Sequence, residues 1–226
     1  LASYTVISLK PSGDVTVNSA ATPTTNRGLV ELKGADNVTI DGDDPLTAGV
    51  RNLTFQMATS TNITAVIRIS SNSTTGTAGA DNNTVKNCII IGSRPTGIAT
   101  TMSYGINASN YSTTSLSTGA YANLNTTIDN NEIRRCYRGI HLNGASATYP
   151  NTGVFVTNNI IGSSNLADNV GNCGIFVAYS NLTGGTTPSL IEGNDVRCGD
   201  VSPTGAGFGA TISGIDLGTV NSGIRV

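Results

Sequence analysis

The chain has 226 residues with 14 acidic and 12 basic side chains, a formal charge of −2 at pH 7. That balance leaves no basic footprint for nucleic acid or an anionic membrane surface, and no apolar run is long enough to insert a spanning helix in a membrane. Charged residues are only 12% against 38% hydrophobic, so Asn, Thr, Ser and Gly hydrate the surface, and disorder, which needs many charges and few apolar residues, is excluded.

In chain order, residues 1–28 read as an entry coil. The alternating runs YTVISL and DVTV flank a turn at Pro11-Ser12-Gly13, and ATPTTNRG follows as a loop. Residues 29–226 read as repeating coils. LVELKGADNVTIDGDDP gives strands over Leu29–Leu32 and Asn37–Ile40, and the alternation continues over Asn52–Met57 and Ala65–Ile69. Segments 71–82, 108–126, 143–152 and 199–210 are rich in Ser, Thr, Asn and Gly and read as loops inserted at one corner of a coil.

The stretch NTTIDNNEIRRCYRGIHL (125–142) states the repeat most fully, with segments Thr127–Ile133 and Gly139–Leu142 and a polar corner holding Asn130 and Asn131. The first half recurs as NTVKNCIII, FVTNNIIGS and LIEGNDVRC, and the second as YGINAS, CGIFVA and SGIDLG. The glycines opening the second half, Gly105, Gly139, Gly174 and Gly214, are 34, 35 and 40 residues apart. One supersecondary unit per 20–50 residues marks a stacked solenoid. Runs this short with period-two alternation are strands, so an all-β parallel solenoid is expected, one β-helix segment over 1–226. Glycine would give one corner access to positive φ. Asn87, Asn130, Asn131, Asn158, Asn159 and Asn194 fall at the other, where they would stack as an amide ladder.

Those same residues carry a resemblance. GADNVTIDG (34–42), RNLTFQ (51–56) and the NN-x-I and GI-x-L units are similar to the parallel β-helix repeats of pectin-lyase-like proteins, over roughly 29–226. LKGADNVTIDGDD with RNLTF more narrowly resembles β-helical modules of large adhesin-like surface or secreted proteins of Bacteroidetes exported by type IX secretion. The resemblance implies a right-handed parallel β-helix at an extracellular or cell-surface location. The opening LASYTVISLK is patterned as a strand rather than as a signal peptide, and the closing GIDLGTVNSGIRV shows no C-terminal cap. A processed segment is therefore expected, with the rest of a longer chain or another protein capping the solenoid.

The residues for chemistry are few. Asp41, Asp43 and Asp44 in DGDDP form the best acidic cluster, which reads as a turn, with calcium the one cofactor its oxygens suit. The acidic and Gly-His-Gly pattern of polygalacturonase-like enzymes is missing, so no catalytic residue is assigned. His141, the only histidine, reads as an exposed strand residue. Arg134 and Arg197 could stand where lyases place a base, but Glu132 and Asp195 nearby make paired surface charges the simpler reading. Cys88, Cys136, Cys173 and Cys198 contain no C-x-x-C pair; they read equally as buried thiols or as one or two disulfides, with three connectivities open. Thr-rich fragments do not recur in register, which argues against an ice-binding face. The expected function is a non-catalytic structural or adhesive segment, with Tyr104, Tyr111, Tyr121, Tyr137 and Tyr149 and surface amides offering weak carbohydrate or protein contact. The alternatives are a polysaccharide-active enzyme and a subunit of an extracellular filament or secretion assembly.

Overall fold

In the computed structural model the described residues are 7–21, 24–58, 62–72, 79–93, 103–109, 122–180, 188–199, 213–218 and 222–226. They form three parallel sheets that the chain visits in rotation. Sheet A holds β1 (Ile7–Leu9), β4 (Val38–Asp41), β7 (Thr84–Lys86), β10 (Thr127–Asp129), β13 (Phe155–Thr157), β16 (Ser189–Glu192) and β19 (Ile224–Arg225). Sheet B holds β2 (Val15–Asn18), β5 (Leu53–Gln56), β8 (Cys88–Ile91), β11 (Glu132–Arg134), β14 (Ile160–Ile161) and β17 (Asp195–Val196). Sheet C holds β3 (Arg27–Lys33), β6 (Thr64–Ser70), β9 (Ser103–Ser109), β12 (Arg138–Asn143), β15 (Cys173–Ala178) and β18 (Ser213–Leu217). The result is a solenoid of six three-strand coils and the first strand of a seventh. Each coil has three strands, not two: the Asn130–Asn131 corner splits Thr127–Ile133 into β10 and β11.

Parallel register turns the sequence repeat into columns. Leu9, Ile40, Val85, Ile128, Val156 and Ile191 stack inside sheet A. Phe55, Ile90, Ile133 and Ile161 stack inside sheet B. Ile67, Ile106, Ile140, Ile175 and Ile215 do so inside sheet C. Branched side chains of like shape repeating at the ~4.8 Å strand spacing pack without gaps, and those in the middle coils are fully buried. Among the described residues the one helical element is a short 3-10 turn, Leu166–Asp168.

The glycines that open the sheet C strands act differently from expectation. Gly105, Gly139, Gly174 and Gly214 are absent from the positive-φ positions. The first three are glycines because the coil above is too close: a Cβ on Gly139 would lie 2.5 Å from Ile161 Cγ2 and 2.7 Å from Gly174 O. Positive φ belongs instead to the asparagine corners, including Asn37, Asn82, Asn87, Asn125, Asn130 and Asn158, since Asn tolerates the left-handed region. The insertions also differ. Long connections run from sheet B to C (92–102, 197–212) and from C to A (71–83, 110–126), whereas from the third coil onward A turns into B through one or two residues. In those later coils the A–B corner is held by side-chain hydrogen bonds from coil to coil.

Candidate functional site

At the A–B corner two asparagine rows run along the stack. In the inner row, Asn131 Nδ2 donates to Asn159 Oδ1 at 3.0 Å and Asn159 Nδ2 to Asn194 Oδ1 at 2.9 Å. Each amide also donates to a main-chain oxygen, of Val85, Ile128 and Val156 respectively, and each oxygen accepts the main-chain N–H of the coil before it. Residues 131 and 159 are fully buried, so this polar row is satisfied inside a low-dielectric core. The outer row is Asn87, Asn130 and Asn158, with Asn130 Nδ2 donating to Asn87 Oδ1 at 2.8 Å and Asn87 Nδ2 to Asp41 Oδ1 at 2.7 Å. A second ladder, unsuspected from sequence, links Asn123 and Asn151 at the C–A corner, where Asn83 also bonds Val38 and Ala35. Its members sit at the ends of connections of unequal length, which hid their period.

The outer row ends on the acidic cluster. Asp41 pairs with Lys10 at 2.9 Å and Lys86 at 3.4 Å and accepts from Asn87 and the Asp43 amide. Burial alone would raise its pKa, but the Asn87 amide, the Lys10 ammonium, the Asp43 amide and Lys86 outweigh burial and hold the carboxyl at about 2. Asp44 accepts the main-chain N–H groups of Leu46 and Gly13, which lower its pKa, and Asp43 accepts that of Gly49. The Asp43 and Asp44 oxygens brace turns, while Asp41 carries the two ammonium partners. Among the described residues, no three His, Cys, Asp or Glu side chains are grouped to hold a metal ion.

The outer face of sheet C is different from the other two. Every residue of β6 and β9 is buried, although alternate side chains point away from the core. Its outward column runs Glu31, Arg68, Asn107, His141, Phe176 and Asp216. His141 is therefore not an exposed strand residue: it is 1% exposed, stacked on Phe176 at 4.7 Å and tilted against Tyr104 at 4.9 Å. Arg138 Nη1 donates to His141 Nδ1 at 2.9 Å; a guanidinium only donates, so the ring proton of the neutral imidazole sits on Nε2. That buried Nε2 has no partner among the described residues. Burial, then the charge of Arg138, drive the His141 pKa down to about 3.

A consequence is measurable. The unfolded chain protonates its histidine below about 6.5, whereas folded His141 resists until about 3. Acid therefore favours the unfolded state in that window, and the contribution is intact above 6.5 and lost as the pH falls towards 3. Unfolding free energy from urea melts is expected to drop by about 2 kcal/mol between pH 7 and 5, and His141→Phe should flatten that interval. A wild-type profile flat from pH 7 to 5 would contradict the buried neutral imidazole.

The remaining residues singled out are dispersed. Glu132 pairs with Arg134 at 3.0 Å and Asp195 with Arg197, the paired surface charges that the repeat suggests. All four cysteines are thiols: Cys88 at the A–B corner, Cys136 after β11, Cys173 opening β15 and Cys198 after β17. Burial pushes Cys88 and Cys198 up to about 12, with the Asp41 charge adding at Cys88, and raises Cys173 as well, so these three carry no thiolate at neutral pH. Tyr104 and Tyr137 are buried and Tyr149 is exposed; Tyr111 and Tyr121 lie outside the described residues. One threonine row does form in register, Thr39, Thr84 and Thr127. The column beside it is Lys10, Asp41, Lys86 and Asp129, which gives no flat threonine array. No protein-family model, curated protein or solved structure matches this chain. What the geometry establishes is a parallel β-solenoid whose polar residues mostly hold coil to coil.

Proposed function

We propose that this chain is a non-catalytic structural and adhesive segment of a larger extracellular or cell-surface protein, with its end coils covered by further coils of the same polypeptide or by another protein. The observation that carries this reading is the state of the two ends. Ile7 and Leu9 at one end and Ile215 and Leu217 at the other belong to columns that are fully buried in the middle coils, yet they are 63%, 49%, 37% and 46% exposed. Among the described residues, strands β1, β2 and β3 at one end and β19, β17 and β18 at the other have an unpaired edge, the kind of surface that pairs with another strand. The resemblance to adhesin-like modules supports an exported protein, and type IX secretion is the route it suggests. A pectin-lyase-like enzyme finds less support, because the oxygens of Asp41, Asp43 and Asp44 brace turns.

Peptide mapping and intact mass of the native protein test this. Peptides that continue past Val226 into similar coils are the expected result. A native chain that stops near Val226 and is monomeric by light scattering at every concentration would sink the proposal; one that stops there but associates would move the filament reading to first place.

A further inference from the structure

A groove of about 440 Å³ lies on the outer face of sheet B, lined by Asp14, Thr16, Val50, Arg51, Thr54 and Ile89. Thr16, Thr54 and Ile89 occupy one outward column in consecutive coils, so their side chains project ~4.8 Å apart. The connection 42–52 forms the wall. Arg51 is held there by Nε donating to Asn130 O and Nη2 to Asn130 Oδ1, both at 2.8 Å. Those bonds use Nε and Nη2, and Arg51 makes no ion pair among the described residues. Asp14, an exposed residue of the same lining, is oriented by Asn52 Nδ2, which donates to its Oδ1 at 2.7 Å. Val50 is 51% exposed and, with Ile89, gives the groove an aliphatic side.

We propose that this groove binds a short stretch of neutral polysaccharide. The chemistry is that of a sugar ring seen from the side: a carboxylate to accept from vicinal hydroxyls, a guanidinium to donate to them, two threonine hydroxyls that do either, and two aliphatic side chains for the C–H face. Both charged groups are pre-oriented by their own hydrogen bonds, which lowers the ordering cost of binding. Asp14 opposes an acidic glycan. A peptide lying across the sheet face finds few main-chain partners there, because the sheet's own hydrogen bonds run between strands in its plane. The inference rests on the contact role proposed above and names its place. Failure here would leave the covered-end reading standing, since mapping of the native chain does not depend on it.

The test follows Val50 and Ile89 methyl resonances of the whole chain during titration with hexasaccharides of glucose, xylose and mannose, with hexagalacturonate as the acidic comparison. At least one neutral hexasaccharide should shift both methyls with a Kd of roughly 0.1–1 mM, a range usual for weak single sites. The shape-conserving double variant Thr16→Val/Thr54→Val should weaken that binding roughly tenfold, about the loss of one good hydrogen bond, without lowering the unfolding midpoint. No shift from any neutral hexasaccharide at ~10 mM, an equal shift in the double variant, or binding of the acidic oligomer alone would each overturn the proposal.

Discussion

Replacing Asn159 by leucine is expected to cost about 3–5 kcal/mol, enough to lower the unfolding midpoint by roughly 10 °C in a chain of this size. Leucine matches the volume but strands the Asn131 main-chain and side-chain N–H groups and the Ile128 carbonyl, which Asn159 serves at 2.9–3.0 Å. Those groups are buried, so water does not replace the lost partner, and each orphan costs about 1–3 kcal/mol. The adjacent outer row is the control. Asn158→Gly should stay within ~1 kcal/mol, because glycine accepts positive φ at little cost and Gly193 already occupies the equivalent corner one coil on, with φ 69°. Urea melts of the two variants decide it. Equal losses would mean that the corner is held by its backbone conformation and not by the inner ladder.

Gly139→Ala is the second large effect, expected at about 3 kcal/mol although it adds one methyl group and strains no dihedral. The new carbon would lie 2.5 Å from Ile161 Cγ2 and 2.7 Å from Gly174 O, and the latter is main chain with a strand on its far side. Relief therefore requires sheet C to move against sheet B. Gly174→Ala should behave alike, since its new carbon would overlap Val196 Cγ1, while Gly214→Ala should be nearly silent because its nearest neighbour is 3.9 Å off. Thermal melts of the three variants order them directly. A Gly214→Ala as damaging as Gly139→Ala would show that the end coil is packed as tightly as the middle.

The repeat in NTTIDNNEIRRCYRGIHL was legible as a parallel solenoid because its two signals are local. Alternation places Ile128, Ile133 and Ile140 inward, and an Asn pair marks a corner whatever lies above it. The Glu132–Arg134 pair was legible for the same reason, its two residues being one pleat apart. The burial of His141 was not. Its column, from Glu31 to Asp216, draws one residue from each of six coils, and no local pattern says that the outer side of sheet C is covered. The groove at Arg51 was hidden likewise, since Arg51 reaches Asn130 across 79 positions of sequence.

The amino-acid sequence by itself determined the period, the inward apolar set and the A–B asparagine corner, because each follows from conformational preferences of neighbouring residues. Only the tertiary structure decided which coil faces which residue. Register between coils sorts the asparagines into a buried row and a partly exposed one, and turns Gly139 from a flexible link into a point of contact. It pairs Asp41 with both Lys10 and Lys86, and among the described residues leaves the buried His141 N–H without an acceptor. These outcomes depend on groups brought within ~5 Å by stacking, a distance that connections of unequal length erase from the linear order.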